Sequence, residues 1–109
     1  MAAENKYELV VCIVNAGFSE IVMNAARSAG AQGGSIIRGR GTANPESEEF
    51  FNITVQPDKE VMIILVPADI KDDVMKAIYK NAGLATDGAG IVFSLPVNRT
   101  SFTLNPEKE

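Results

Sequence analysis

Apolar residues along this chain keep two different rhythms. Tyr7 to Asn15 (YELVVCIVN) is apolar and β-branched almost without interruption, ends at Ala16-Gly17, and predicts a strand buried on both faces. Phe18, Ile21, Val22, Ala25, Ala26 and Ala29 then recur at helical spacing, which predicts a helix opened near Ser19-Glu20 and closed by Gly30. A second strand is expected from Ser35 to Arg40. The stretch from Thr42 to Glu49 (TANPESEE) has no period and contains Pro45, so it reads as a loop. Phe50 to Val55 has strand character, Gln56-Pro57-Asp58 is turn-like, and Glu60 to Val66 (EVMIILV) predicts a central strand. Pro67 suits a helix entry. Ile70, Val74, Ile78 and Ala82 would share one face of that helix, with Lys71, Asp72, Lys76 and Lys80 facing out and Gly83 at its end. After a glycine-containing loop from Leu84 to Gly90 comes a last strand, Ile91 to Val97, whose Pro96 argues for an edge or an end.

Strand–helix–strand followed by strand–helix–strand is the order of an α+β, ferredoxin-like βαββαβ plait, an antiparallel sheet with two helices on one face. The sheet's other face must also be covered. In a chain of 109 residues whose strands are apolar on both faces, the expected cover is another copy of the chain.

Two glycine-rich turns lie beside strands. Gly33-Gly34-Ser35-Ile36-Ile37-Arg38-Gly39-Arg40-Gly41-Thr42 is a strand breaking into glycines, and Asp87-Gly88-Ala89-Gly90 is a turn before another strand. Bare amides next to guanidinium groups suit an anionic ligand. Strand alternation puts Arg38 and Arg40 on the same face, where like charges repel unless an anion or an acidic partner intervenes. The plainer readings are a bulged strand end, two solvated charges and an ordinary turn.

Composition narrows the chemistry. The net charge of −4 argues against a nucleic-acid partner. No histidine and one cysteine, Cys12 in an apolar run, leave no basis for disulfides, a zinc site or histidine acid–base catalysis. No segment has the charged flank and apolar run of a signal peptide or the length of a membrane span, so a cytoplasmic protein is expected.

The Gly39-Arg40-Gly41 strand exit, the loop from Thr42 to Glu60, and the run Ala82-Gly83-Leu84-Ala85-Thr86-Asp87-Gly88-Ala89-Gly90-Ile91-Val92-Phe93 with Pro96-Val97-Asn98-Arg99 after it resemble the PII signal-transduction proteins. The resemblance spans about residues 7–99. It implies a single PII-like domain over 1–109, with a T-loop at about 42–59 and a tail at 100–109. It also implies homotrimers whose sheets pack inward, with adenine nucleotide held in clefts between subunits. The T-loop would report occupancy to a membrane transporter or an enzyme. On that resemblance the ligand-binding residues are Ser35, Arg38, Gly39, Arg40, Gly41, Thr42, Lys59, Thr86, Asp87, Gly88, Ala89 and Gly90. Lys59 falls where the family has a lysine associated with an oxo-acid effector.

The departures from the family pattern concern charge. The T-loop is short and has no tyrosine. Ala89-Gly90 replaces the lysine of the second turn, the B-loop, and Thr100-Ser101-Phe102-Thr103 lacks the paired arginines of the family's tail. Each lost charge-assisted contact is worth roughly 1.5–3 kcal/mol to a triphosphate. The expectation is thus a PII-like sensor with altered ligand choice and no obligatory cofactor, its effector ADP, ATP, AMP or a related anion. An enzyme on the same plait lacks an activated nucleophile pair. A ligand-free structural or metal-handling trimer of CutA-like architecture is the alternative.

Overall fold

The structure, a computed structural model, describes residues 6–42 and 58–103. The elements are β1 (Tyr7–Asn15), α1 (Ser19–Ser28), β2 (Ser35–Arg40), β3 (Asp58–Pro67), α2 (Lys71–Ala82) and β4 (Ile91–Val97), with single 3-10 turns at Ala68–Ile70 and Ser101–Thr103. The polar run from Ala43 to Glu49, the strand expected at Phe50 to Val55 and the tail from Leu104 lie outside the described residues.

All three strand pairings are antiparallel and the order is β2-β3-β1-β4, the order of a ferredoxin-like α+β plait. Even-numbered residues of the central strands point to the helices. Val10, Cys12, Val14, Met62, Ile64 and Val66 are fully buried there against Val22, Ala26, Val74, Ile78 and Ala82. Both helices therefore cover one face of the sheet.

Several element ends differ in detail from the sequence pattern. Ser19 does not cap α1. Phe18 occupies the cap position with no side-chain bond, its carbonyl takes the Val22 amide, and its own amide goes to Asn15 O. Ile21 lies 43% exposed, and the buried stripe runs through Val22, Met23, Ala25 and Ala26 instead. The other end of α1 follows expectation. Gly30 takes φ +109°, its amide reaches Arg27 O, and the Ala31 amide reaches Ala26 O, the paired bonds of a Schellman stop. Pro67 closes β3 rather than opening α2, and one 3-10 turn intervenes. Asp58, expected in a turn, is the first residue of β3, because it pairs with Arg40 across the strand gap. Pro96 sits on β4, which pairs only with β1, so its missing amide costs no ladder bond on the free edge.

Cys12 shows what this core does to a titratable group. Burial pushes its thiol from 9.0 up to about 12. The native thiol is expected to resist a disulfide reagent at pH 8 and to react fully once urea unfolds the chain. The unfolded chain ionises first as pH rises, so this group's contribution to stability is complete below pH 9 and is lost progressively toward pH 12. Urea midpoints at pH 8 and pH 10.5 check the sign: the alkaline midpoint should be lower, and substituting Cys12 by Ala should remove that part of the difference.

Candidate functional site

The C-terminal end of β1, the exit of β2 and the entry of β3 meet at one end of the sheet. Register places Arg38 opposite Glu60, Gly39 opposite Lys59, and Arg40 opposite Asp58. Both arginines do share a face, and what intervenes across the strand gap is acidic. The Arg40 Nε lies 3.9 Å from Asp58 Oδ1, with both side chains mostly in water, where such a pair contributes little to stability. A cleft of about 390 Å³ opens here between Ala16, Gly17, Arg38, Gly39, Asp58, Lys59 and Glu60. The Gly17 amide on its wall donates to Glu60 Oε1 at 2.9 Å.

Lys59 crosses the site. Its carbon stem lies over Gly41, where an added Cβ would stand 3.2 Å from Lys59 Cε and 3.3 Å from Cγ. Its ammonium donates to Asn15 Oδ1 at 2.6 Å, and desolvation lowers its pKa from the ordinary lysine value. Asn15 in turn donates from Nδ2 to Asp87 O at 2.9 Å, and its main-chain amide donates to Gly88 O, also at 2.9 Å. The exit of β2 and the Asp87–Gly90 turn, far apart in the sequence, are thereby brought together through Lys59 and Asn15.

The turn is tightly bound to its own scaffold. Thr86 Oγ1 and the Thr86 amide both reach Gly83 O, the Ala89 amide goes to Thr86 O, and the Gly90 amide goes to Ala82 O. Two of the four amides of Asp87–Gly90 are thus already donated inside the chain. Among the described residues those of Asp87 and Gly88 have no acceptor. Ala89 holds φ +49°, a left-handed conformation uncommon for a residue with a side chain. Thr42 is exposed at the exit of β2.

Ser35 is not part of this end. It lies at the start of β2, beside a second and larger groove of about 760 Å³ lined by Tyr7, Gly30, Gln32, Gly33, Gly34, Ser35, Ile63, Leu65, Pro67 and Phe102. No charged side chain lines this groove. The 3-10 turn at Ser101–Thr103 brings Phe102 over it, with the Tyr7 and Phe102 ring centres 5.9 Å apart. Of the expected ligand residues, Arg38, Gly39 and Lys59 line the smaller cleft and Ser35 the larger one at the other end of β2, while Arg40, Gly41, Thr42 and the Thr86–Gly90 turn line neither.

Sequence reading missed both Asn15 and the groove. Asn15 was legible only as the polar end of an apolar run, although a polar residue closing such a run is itself a cue that something must pair with it. Gln32, Tyr7 and Phe102 carry no motif, and only the fold assembles them.

The face of the sheet away from the helices is apolar and open. Register aligns it in three rows across β3, β1 and β4: Leu65, Leu9 and Leu95; Ile63, Val11 and Phe93; Val61, Ile13 and Ile91. Ile37 of β2 extends the last row. Ile91, Phe93 and Leu95 are 51%, 39% and 49% exposed. No helix among the described residues is long and apolar enough to cross a membrane, and among the same residues no group of three or more acidic, cysteine or histidine side chains could hold a metal ion.

No family model and no curated protein matches the sequence. Solved structures do match the fold. PII of Arabidopsis thaliana, in a structure bound to citrate, is 26% identical over 86% of this chain and 77% of its own, with a TM-score of 0.64. A PII-like signalling protein of Thermus thermophilus is 13% identical over 84% of this chain and 85% of its own, with a TM-score of 0.63. A Bacillus cereus protein related to NIF3 is 18% identical with a TM-score of 0.68; it covers 91% of this chain, which spans only 27% of that longer protein. The chain has a PII-like fold.

Proposed function

We propose that this chain is a PII-like signalling protein that assembles as a homotrimer through its open sheet face and takes a small anionic effector between its subunits. An adenine nucleotide is the effector class, and the segment around 42–59 carries occupancy to a partner, a membrane transporter or an enzyme. The observation that carries this reading is the pair of clefts at the two ends of β2 in a PII-like fold. The uncharged groove of about 760 Å³ has the size and the aromatic wall for a planar base. The smaller cleft supplies Arg38 and the Lys59 ammonium for an anionic group. Citrate in the Arabidopsis relative is a small polyanion, which fits an effector of that charge. With the Ala89 and Gly90 amides committed internally and Gly88 buried, the ligand-facing amide of the turn in this reading is that of the exposed Asp87. The absence of histidine and of an activated nucleophile favours sensing over catalysis.

Calorimetric titration with ADP, ATP, AMP, cyclic adenine nucleotides and citrate tests it. Saturable binding near one ligand per subunit is the expected result, and no heat with any of them would overturn the effector reading. In the same assay Gly41→Val should weaken binding by about tenfold or more. A branched side chain there pushes the Lys59 stem aside and takes the ammonium off Asn15, while the thermal midpoint and the assembly stay close to wild type. Unchanged affinity would remove the β2 exit from the site.

A further inference from the structure

Asn15 is the buried polar residue of the described core, fully enclosed at the end of β1. Burying a carboxamide is unfavourable unless its polar atoms are paired, and a leucine would fill the same space without that demand. The pairing Asn15 has is not local. Its Oδ1 takes the ammonium of Lys59, at the entry of β3, and its Nδ2 and main-chain amide hold the carbonyls of Asp87 and Gly88. One rigid planar group therefore touches both of the segments that bound the candidate site, which meet each other through no other hydrogen bond among the described residues.

The choice of amide over acid matters. An aspartate here would neutralise Lys59 and would set a carboxylate against the Asp87 carbonyl. The neutral amide accepts from the ammonium with one end and donates to the turn with the other, leaving Lys59, among the described residues, with no ion-pair partner and two of its three N–H donors unspent. We propose that Asn15 is a positioning residue that couples the Lys59 ammonium to the Asp87–Gly88 peptide, so that an anionic group claiming Lys59 alters the turn, and a ligand held by the turn alters Lys59. Coupling of this kind is reciprocal by thermodynamic necessity. Its use in signalling rests on the effector reading above, but the coupling itself is a property of the free chain and is testable without any ligand.

Lys59→Met is the direct test, since the unbranched side chain keeps the stem over Gly41 and removes only the ammonium. Native-state amide exchange, read by NMR on the full-length protein, should quicken about three- to tenfold at Ala89 and Gly90, whose amides are bonded within the turn. The amides of Val10 and Ile64 in the sheet centre should not change, which separates coupling from general loosening. Lys80→Met, at an exposed site on α2, is the control and should leave the turn as it is. Asn15→Asp supplies the second arm: the NMR-monitored titration of Lys59 should move upward in pH while exchange at the turn quickens, two changes that occur together only if residue 15 touches both. A turn indifferent to Lys59→Met, or a Lys59 titration indifferent to Asn15→Asp, overturns the proposal. Both changes seen in the variants, with a wild-type protein that binds neither citrate nor any adenine nucleotide, would overturn the effector reading and leave the coupling standing.

Discussion

If copies of the chain assemble through the open sheet face as proposed, Phe93→Asp is expected to give monomers at micromolar concentration. Phe93 sits on β4 in the middle row of the open face, opposite Val11, with Ile63 beyond it on β3. In a protomer alone it is 39% exposed and supports little of the helix-covered core, so the substitution should leave the fold intact. In an assembly packed through this face it would be enclosed. Removing the ring forfeits about 2–3 kcal/mol of apolar burial per copy. Burying an unpaired carboxylate in its place costs several kcal/mol more. Three copies together lose on the order of 10 kcal/mol or more by the same principles, enough to dissociate a trimer of ordinary strength. Sedimentation velocity on wild type and variant checks it, with circular dichroism to confirm that the monomer is folded. Tyr79→Asp is the control, because Tyr79 is 60% exposed on α2, on the opposite side of the sheet. A Phe93→Asp protein that keeps the wild-type mass would place the interface elsewhere. A wild type that sediments as a monomer would leave the three apolar rows to some other cover.

The strands and helices of this fold were legible because burial here follows period so closely. β1, β2 and β4 are bounded where the apolar runs and the glycines place them and α2 ends before Gly83 as expected, whereas β3 exceeds its apolar run at Asp58 and Lys59, which pair with β2, and at Pro67, which pairs with Tyr7. Hydrophobic alternation cannot show that extension, since it is made by charged residues across a strand gap. The rule that two-sided apolar strands need two covers likewise led directly from YELVVCIVN and EVMIILV to an open face, which the register now resolves into rows. The helix start near Ser19 was legible, but not which residue caps it. Ser19 has the right chemistry for a cap, but Asn15 O already takes the amide of Phe18 and turns the chain into the helix one residue earlier.

The site was less legible, for a different reason. Glycine turns advertise themselves in a sequence, whereas the residues joining them do not. Nothing local distinguishes Asn15 from any other strand end until Lys59 and Asp87 arrive beside it from 44 and 72 residues away. Arg38 and Arg40 illustrate the converse. Their spacing correctly gave a shared face, but the acidic residues opposite them belong to another strand, and only the register supplies Glu60 and Asp58.

The second large effect is expected at Gly90. Its amide is bonded to Ala82 O, it forms a parallel bridge with Gly83, and it is buried between the end of α2 and β1. A Cβ added there would fall on the Ala82 carbonyl oxygen and stand 2.9 Å from Val14 Cγ1. Neither neighbour can yield: the carbonyl belongs to the last residue of a helix whose Ala82 side chain is in the core, and Val14 is fully buried in the central strand. Gly90→Ala should therefore cost roughly 3 kcal/mol or more, at the upper end of what overpacking a core costs and a large part of the stability of a small domain. Urea unfolding checks the magnitude. Gly39→Ala is the comparison that isolates the cause, because nothing lies within 4 Å of a Cβ added there, and it should shift the urea midpoint by only a small fraction of the Gly90 effect. Equal losses at the two positions would mean that backbone freedom, common to both glycines, outweighs the close approach found only at Gly90. The contrast bears on function as well. A turn that tolerates no methyl group at Gly90 is held from behind by α2 and β1, so the exposed Asp87 is presented from a fixed base while Gly88 stays buried, the preorganisation that the proposed anion site requires.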